Sequence, residues 1–297
     1  MDKKERKKLF KEAMGMELRQ NRKSYRVYLV LRAIVIAVLV RQAFLGNFEN
    51  VFMCALTLAL FMIPSFIQVK YRVEIPAVLE IIILMFIFSA EILGEVNEFY
   101  IKIPYWDTIL HTLNGFLAAA IGFSLVNLLN ENKSLSFNLS PFFVAVVAFC
   151  FSMTIGVLWE FFEFFMDTYF GMDMQKDTII HSINSVLLNP SGRNTPFRIR
   201  GITSTTVNSV ELGIDGYLDI GLIDTMKDLF VNFIGAVVFS VIGYFYIKNK
   251  GKSSFAPNFI PSPKEEHDDF LTKLKNTAVT DNDDCENSEK SEDNENK

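Results

Sequence analysis

The sequence predicts an all-α fold, a polytopic transmembrane helical bundle of about six spans, with one long external loop carrying short strands. Three observations predict it. Half of the 297 residues are hydrophobic, 29 are Phe, and the mean hydropathy is +0.24, a composition that would leave a soluble domain with large exposed apolar patches. Six stretches have the roughly 20 mostly apolar residues that a helix needs to cross the hydrocarbon core: 27–45, 51–69, 76–95, 108–129, 141–165 and 229–248. Charge is also segregated, with ten Lys/Arg against four acids in residues 1–26 and twelve acids against five Lys from Ser262 onward.

Residues 1–26 form a basic cytoplasmic segment. The stretch KKERKKLFKEAMGMELRQNRK puts Leu9, Phe10, Ala13 and Met14 on one helical face among Lys and Arg. This suits an amphipathic helix on an anionic membrane surface, or equally a solvated tail that fixes topology. The first apolar run begins only after 26 residues and lacks a small-residue cleavage site, so it reads as a span and not as a signal peptide.

Residues 27–252 make up the transmembrane domain. Lys70, Arg72, Lys133, Lys248, Lys250 and Lys252 fall on one side with the basic N-terminus, while the short loops opposite hold only Lys102. The positive-inside rule then places the chain in the cell membrane as a multi-pass protein with both termini cytoplasmic. The external loop, 169–225, contains a turn signal at NPSG (Asn189 to Gly192) and short β-prone runs separated by Gly and Asn. A loop of this length is rarely idle. The tail, 253–297, is acidic and poor in apolar residues, which predicts a disordered cytoplasmic segment. Cys54, Cys150 and Cys285 show no metal-ligand spacing, and the first three spans do not echo the last three as an inverted-repeat transporter would.

Ionisable residues inside spans are expensive and therefore informative. The external ends of the last three spans carry WDTILHTLNG, WEFFEFFMD and DTMKDLFVNFIGA. Spacings of three, four and seven put Asp107 with His111, Glu160 with Glu163 and Asp167, and Asp224 with Asp228 and Asn232 each on one helical face. The same faces continue inward as Gly115, Ala118, Ala119 and Gly122, as Gly156 and Ser152, and as Ala236, Ser240 and Gly243. Small-residue stripes let membrane helices approach closely, so the three faces should meet and the acids should line a pocket. Asp107 and Asp224 could instead be helix caps, and Asp167 could lie in the headgroup layer. Carboxylates crowded in this way cannot all be ionised without a counter-charge: either several carry protons or a cation sits among them. Asp107, His111, Glu160, Glu163 and Asp228 are the candidate ligands. A site of carboxylates and one imidazole suits Mg²⁺, Mn²⁺ or Ca²⁺, with Zn²⁺ open as well. Arg41 is an alternative counter-charge or snorkels toward the interface, and Glu91 and Glu95 either extend an acidic rim or lie at the interface.

The motifs YWDTILHTLNGF, WEFFEF and IDTMKDLFVNFIGA resemble the YjdF-type family of bacterial inner-membrane proteins and, more distantly, the VanZ-like proteins. The likeness rests on Asp107 with His111, Glu160 with Glu163, and Asp228 with Asn232, and covers roughly residues 105–244. No activity is general to this family; the VanZ-like resemblance implies a link to glycopeptide tolerance and the cell envelope. Three function classes follow: an envelope-facing enzyme or metal site acting on a lipid or wall precursor, a small-solute or ion transporter, and a structural or regulatory membrane protein. The lipid bilayer is the expected partner, and nothing calls for nucleic acid.

Overall fold

The computed structural model describes residues 3–131, 139–252, 255–264 and 268–277. Helix α1 (Lys3–Gln20) leads into α2 (Arg22–Phe44), whose first turn is capped by Asn21 accepting from the backbone N–H groups of Lys23 and Ser24. Next come α3 (Phe48–Leu60), capped by Asn47, and α4 (Ile63–Tyr71). Strand β1 (Val73–Glu74) precedes α5 (Ala77–Phe88), which continues without interruption as a π-helical segment, Ser89–Val96. A single turn, α6 (Phe99–Lys102), joins it to α7 (Trp106–Glu131), and α8 (Pro141–Phe170) and α9 (Leu222–Lys248) complete the bundle.

Among the described residues six helical stretches are long and apolar enough to cross a membrane, each overlapping one of the six expected from sequence. Two depart from the regular helix expected. The second is broken at Phe61–Met62, where Pro64 opens α4 and cannot supply the N–H that a continuous helix would need. The third ends in the π-helical turn.

The core lies where α7, α8 and α9 pack against one another. All nine small residues of the three stripes are buried, and their closeness is literal. A Cβ on Gly115 would stand 2.1 Å from the Asn232 carbonyl oxygen, and one on Gly235 2.0 Å from that of Thr112. Below this seam Phe116, Phe123 and Phe239 stack edge to face. A second cluster, Tyr28, Val35, Phe61 and Leu84, joins α2, α3 and α5, and Leu79 against Leu117 ties α5 to α7.

The long loop folds into small antiparallel pairs. Strands β3 (Ser182–Ser185) and β4 (Phe197–Arg200) form a hairpin around the NPSG turn, where the Gly192 N–H bonds the Asn189 carbonyl. Strands β5 (Thr206–Val207) and β6 (Val210–Glu211) pair next, and β2 (Ile179–Ile180) with β7 (Tyr217–Leu218) closes the excursion at its root.

At the opposite end, the tail differs from the expected disorder. Residues 255–264 and 268–277 pack against the bundle, while 278–297 and Cys285 lie outside the described residues. Strand β8 (Ser262–Pro263) pairs with β1, and Phe259 enters the core against Phe116 with ring centroids 5.3 Å apart. The acidic average of the tail concealed the apolar run Phe255 to Ile260. Helix α1 likewise packs protein, with Phe10 against Phe66 of α4 and Ala13 and Glu17 buried. Arg72 pairs with Asp269 at 3.2 Å, and Lys264 forms a buried ion pair with Glu17.

Burial pushes the Glu17 carboxyl above its usual range, against the opposing pull of Lys264. Lys264→Ala removes that pull, so Glu17 takes up a proton more readily and the tail opens by about 1–3 kcal/mol. The folded-state value is then raised further above the unfolded one, so the variant is best docked in acid and loosens as pH rises through the elevated value. Hydrogen exchange at residues 256–264, corrected for its intrinsic pH dependence, should show this; equal protection in variant and wild type at pH 8 counts against it.

Candidate functional site

The site forms at the loop end of the bundle because the Gly115–Asn232 and Gly235–Thr112 contacts fix α7 and α9 one turn below it. One turn up from Gly115 and Asn232 stand His111 and Asp228. The His111 Nε2 faces two carboxylates at once, Asp107 Oδ1 at 3.4 Å and Asp228 Oδ2 at 3.9 Å. Its Nδ1 faces the third helix, with Glu160 Oε1 at 4.0 Å. Ligand-capable atoms of Asp107, His111 and Asp228 all lie within 4.8 Å of one another. Asp228, Glu160 and His111 are buried, with side chains 4%, 5% and 9% exposed, whereas Asp107 is 36% exposed and forms the open side.

The other candidates divide by role. Glu163 is buried beside this group, accepting a 2.9 Å hydrogen bond from Trp159 Nε1. Asn232 lies in the helix seam, where its Oδ1 accepts from Asn114 Nδ2 at 3.2 Å and its amide meets Met153 Sδ and the bare face of Gly156. Asp167 and Asp224 turn toward the loop, with Asp224 still near enough to act electrostatically on Glu160 and Asp228. Asp167 accepts from the backbone N–H groups of Met174 and Gln175, and Asp224 from that of Lys176, so both hold the start of the loop over the site. Neither Asp107 nor Asp224 caps its own helix; the α9 start is instead met by Asp219, which accepts from Ile223 and Thr178. Arg41 is exposed and makes no ion pair among the described residues, which removes it as the counter-charge.

Several participants escaped the sequence reading. Gln175 donates to Thr225 at 2.6 Å and both lie beside Glu160. Tyr100 folds back against Gly94, where a Cβ would come within 2.3 Å of its ring. Burial foremost, and then the charges of Asp107, Glu95, Glu91 and Glu163, push its phenol well above the ordinary range. Asn114 carried a visible signal, being seven residues from Asp107 on the same face. Tyr100 and Gln175 carried none, since only the chain's return from a loop brings them in.

Four carboxylates thus surround one imidazole. Among the described residues, His111 is the sole ion-pair partner of Asp107, Glu160 and Asp228. The Glu160 Oε2 is buried with no hydrogen-bond partner, and so is Glu91 Oε2. A cation with metal–ligand bonds of about 2.0–2.2 Å holds neighbouring ligand atoms roughly 3.0–3.4 Å apart. The His111 Nε2 distances of 3.4 and 3.9 Å are near that spacing, and the three ligand atoms, all within 4.8 Å of one another, would draw together around an ion.

These features define a polytopic α-helical membrane protein with a polar cluster embedded at one end of its bundle. The description "Predicted membrane protein (DUF2238)" belongs to the family model that matches residues 27–249, and the chain is a member of that family. The match carries the YjdF-type resemblance and adds nothing on the VanZ-like proteins. No curated protein and no solved structure matches the chain.

Proposed function

We propose that Asp107, His111 and Asp228 bind a divalent cation, and that the chain is a metal-dependent membrane protein acting on an oxygen-rich group of an envelope lipid or precursor. The observation that carries this reading is the convergence of three ligand atoms from two helices within 4.8 Å, beside a buried Glu160 oxygen without a partner. Two carboxylates and an imidazole favour Mg²⁺, Mn²⁺ or Zn²⁺. A bound ion would supply polarisation of a phosphoryl or carbonyl oxygen and of a water, and the neighbouring Glu163 carboxylate would serve as base. Glu160, on the far ring nitrogen, orients the imidazole so that Nε2 presents its lone pair to the ion. The depth of the cluster, in the first two turns of α7, suits surface-accessible chemistry better than a transporter's midplane site.

Protein purified in detergent and equilibrated with each metal should retain one ion per chain, and His111→Ala should retain none. Equal retention by both proteins removes the reading.

The lysine and arginine asymmetry supports an orientation with the loop outside and both termini in the cytoplasm. A cysteine introduced at Ser191, an exposed loop residue, should react with a membrane-impermeant thiol reagent in intact cells. Reaction only after permeabilisation reverses the orientation.

A further inference from the structure

A groove runs down the outside of the bundle between α5 and α7. Met85 and Ser89 form one wall, Ile109 and Leu113 the other, and Trp106 stands at its loop end. Its lining is almost wholly hydrocarbon. From Trp106 to Leu113 it extends about 10 Å along α7 at the helical rise of 1.5 Å per residue. Both walls belong to membrane-crossing stretches, Ala77–Val96 and Trp106–Asn127, so the medium that fills the groove is the acyl region of the bilayer. Met85 and Ile109, 43% and 57% exposed, leave it open on that side.

Three features connect the groove to the cluster. Trp106 precedes the ligand Asp107 directly in the first turn of α7, so the loop end of the groove lies at the same helical level as the open side of the site. The indole Nε1 of Trp106 is buried and has no hydrogen-bond partner among the described residues, an arrangement that an acceptor oxygen at this point would satisfy. The α5 wall turns π-helical at Ser89, a rare geometry that recurs at functional sites.

We propose that this groove holds the hydrocarbon chain of a phosphate-bearing lipid whose headgroup oxygens reach the cation at Asp107, His111 and Asp228. The proposal rests on the metal reading above and deepens it by naming the substrate class. The phosphate complements the positive charge of the ion, Trp106 donates to a headgroup oxygen, and the tail remains in the plane of the membrane. A soluble phosphate would use the cation and leave the groove empty.

The test uses phosphatidic acid bearing a diazirine on its acyl chain, photolysed with the full-length protein in nanodiscs containing Mn²⁺, with crosslinked peptides mapped by mass spectrometry. Labelling should concentrate on residues 82–89 and 109–113 over the lipid-facing aromatics of α8, and should be lost with chelator. It should also be lost in Met85→Trp and in Ile109→Trp, which fill the groove from either wall at exposed positions. Both variants should bind as much Mn²⁺ as wild type, which keeps failure of the groove distinct from failure of the metal site. Labelling that ignores both substitutions, is no greater than on α8, or persists unchanged without the ion overturns the proposal. An excess of inorganic phosphate that displaces the ion-dependent labelling is expected; phosphate bound as tightly by both tryptophan variants, with no groove labelling in wild type, identifies the soluble anion as the ligand and overturns the lipid.

Discussion

Gly235→Ala is expected to be among the most damaging single substitutions in the chain. The added methyl would stand 2.0 Å from the Thr112 carbonyl oxygen and 2.8 Å from the Phe116 nitrogen. Both are backbone atoms in the middle of α7 and cannot turn aside as a side chain would. Overpacking typically costs about 1–3 kcal/mol, and a clash with rigid backbone belongs at or beyond the upper end. Helices in lipid associate through close packing and not through a hydrophobic drive, so separating α7 from α9 removes the contact that joins them. Gly115→Ala meets the Asn232 backbone at 2.1 Å and should behave alike. The effect on the site should match: α7 carries Asp107 and His111, α9 carries Asp228, and widening the seam draws the ligand atoms apart. Thermal denaturation in detergent should show a large fall in midpoint for both variants, with bound metal lost from any protein that remains folded. Gly15→Ala, in a helix with open space around that glycine, is the control and should lower neither. Wild-type-like stability for Gly235→Ala would mean that α7 and α9 do not touch as described.

That seam was legible in the sequence for a specific reason. Gly115, Ala118, Ala119 and Gly122 recur at helical spacing beneath an ionisable pair, and equivalent stripes lie under Glu160 and Asp228. Periodicity is local information, and matching small faces on three helices admit few arrangements. The same logic brought Asp107, His111, Glu160 and Asp228 together, because ionisable residues within a span face the bundle interior and pair with one another or with an ion. Asp167 and Asp224 share those helical faces and, at the loop ends of α8 and α9, also accept from loop N–H groups. Spacing alone does not report depth. The π-helical turn at Ser89 was invisible because its register depends on tertiary contacts such as Tyr100 against Gly94. The docked tail was concealed by averaging, since a few apolar residues and one lysine outweigh the acidic composition around them.

Asp228→Asn is expected to abolish stabilisation by divalent cations while leaving the helices assembled, because the amide keeps the size of the carboxylate and loses its charge. For wild type, an ion at about one hundred times its dissociation constant adds roughly 2.7 kcal/mol, since binding to the folded state alone shifts the unfolding equilibrium. The variant should lose nearly all of that increment. Without metal it should be no less stable than wild type, because removing one of four carboxylates around a single imidazole relieves like-charge repulsion. Glu160→Gln should behave differently. Its oxygen faces Nδ1 of His111 and not the Nε2 side where Asp107 and Asp228 converge, so it orients a ligand instead of being one. Such a partner typically accounts for about 10–100-fold in metal affinity. The expected pattern is therefore graded: a shifted titration that still saturates in Glu160→Gln, and no titration in Asp228→Asn. Thermal midpoints measured against Mn²⁺ or Mg²⁺ concentration for the three proteins decide the matter. Abolition in both variants would move Glu160 into the ligand set. Unaltered titrations in both would leave the cluster as polar packing between helices and withdraw the cation from it.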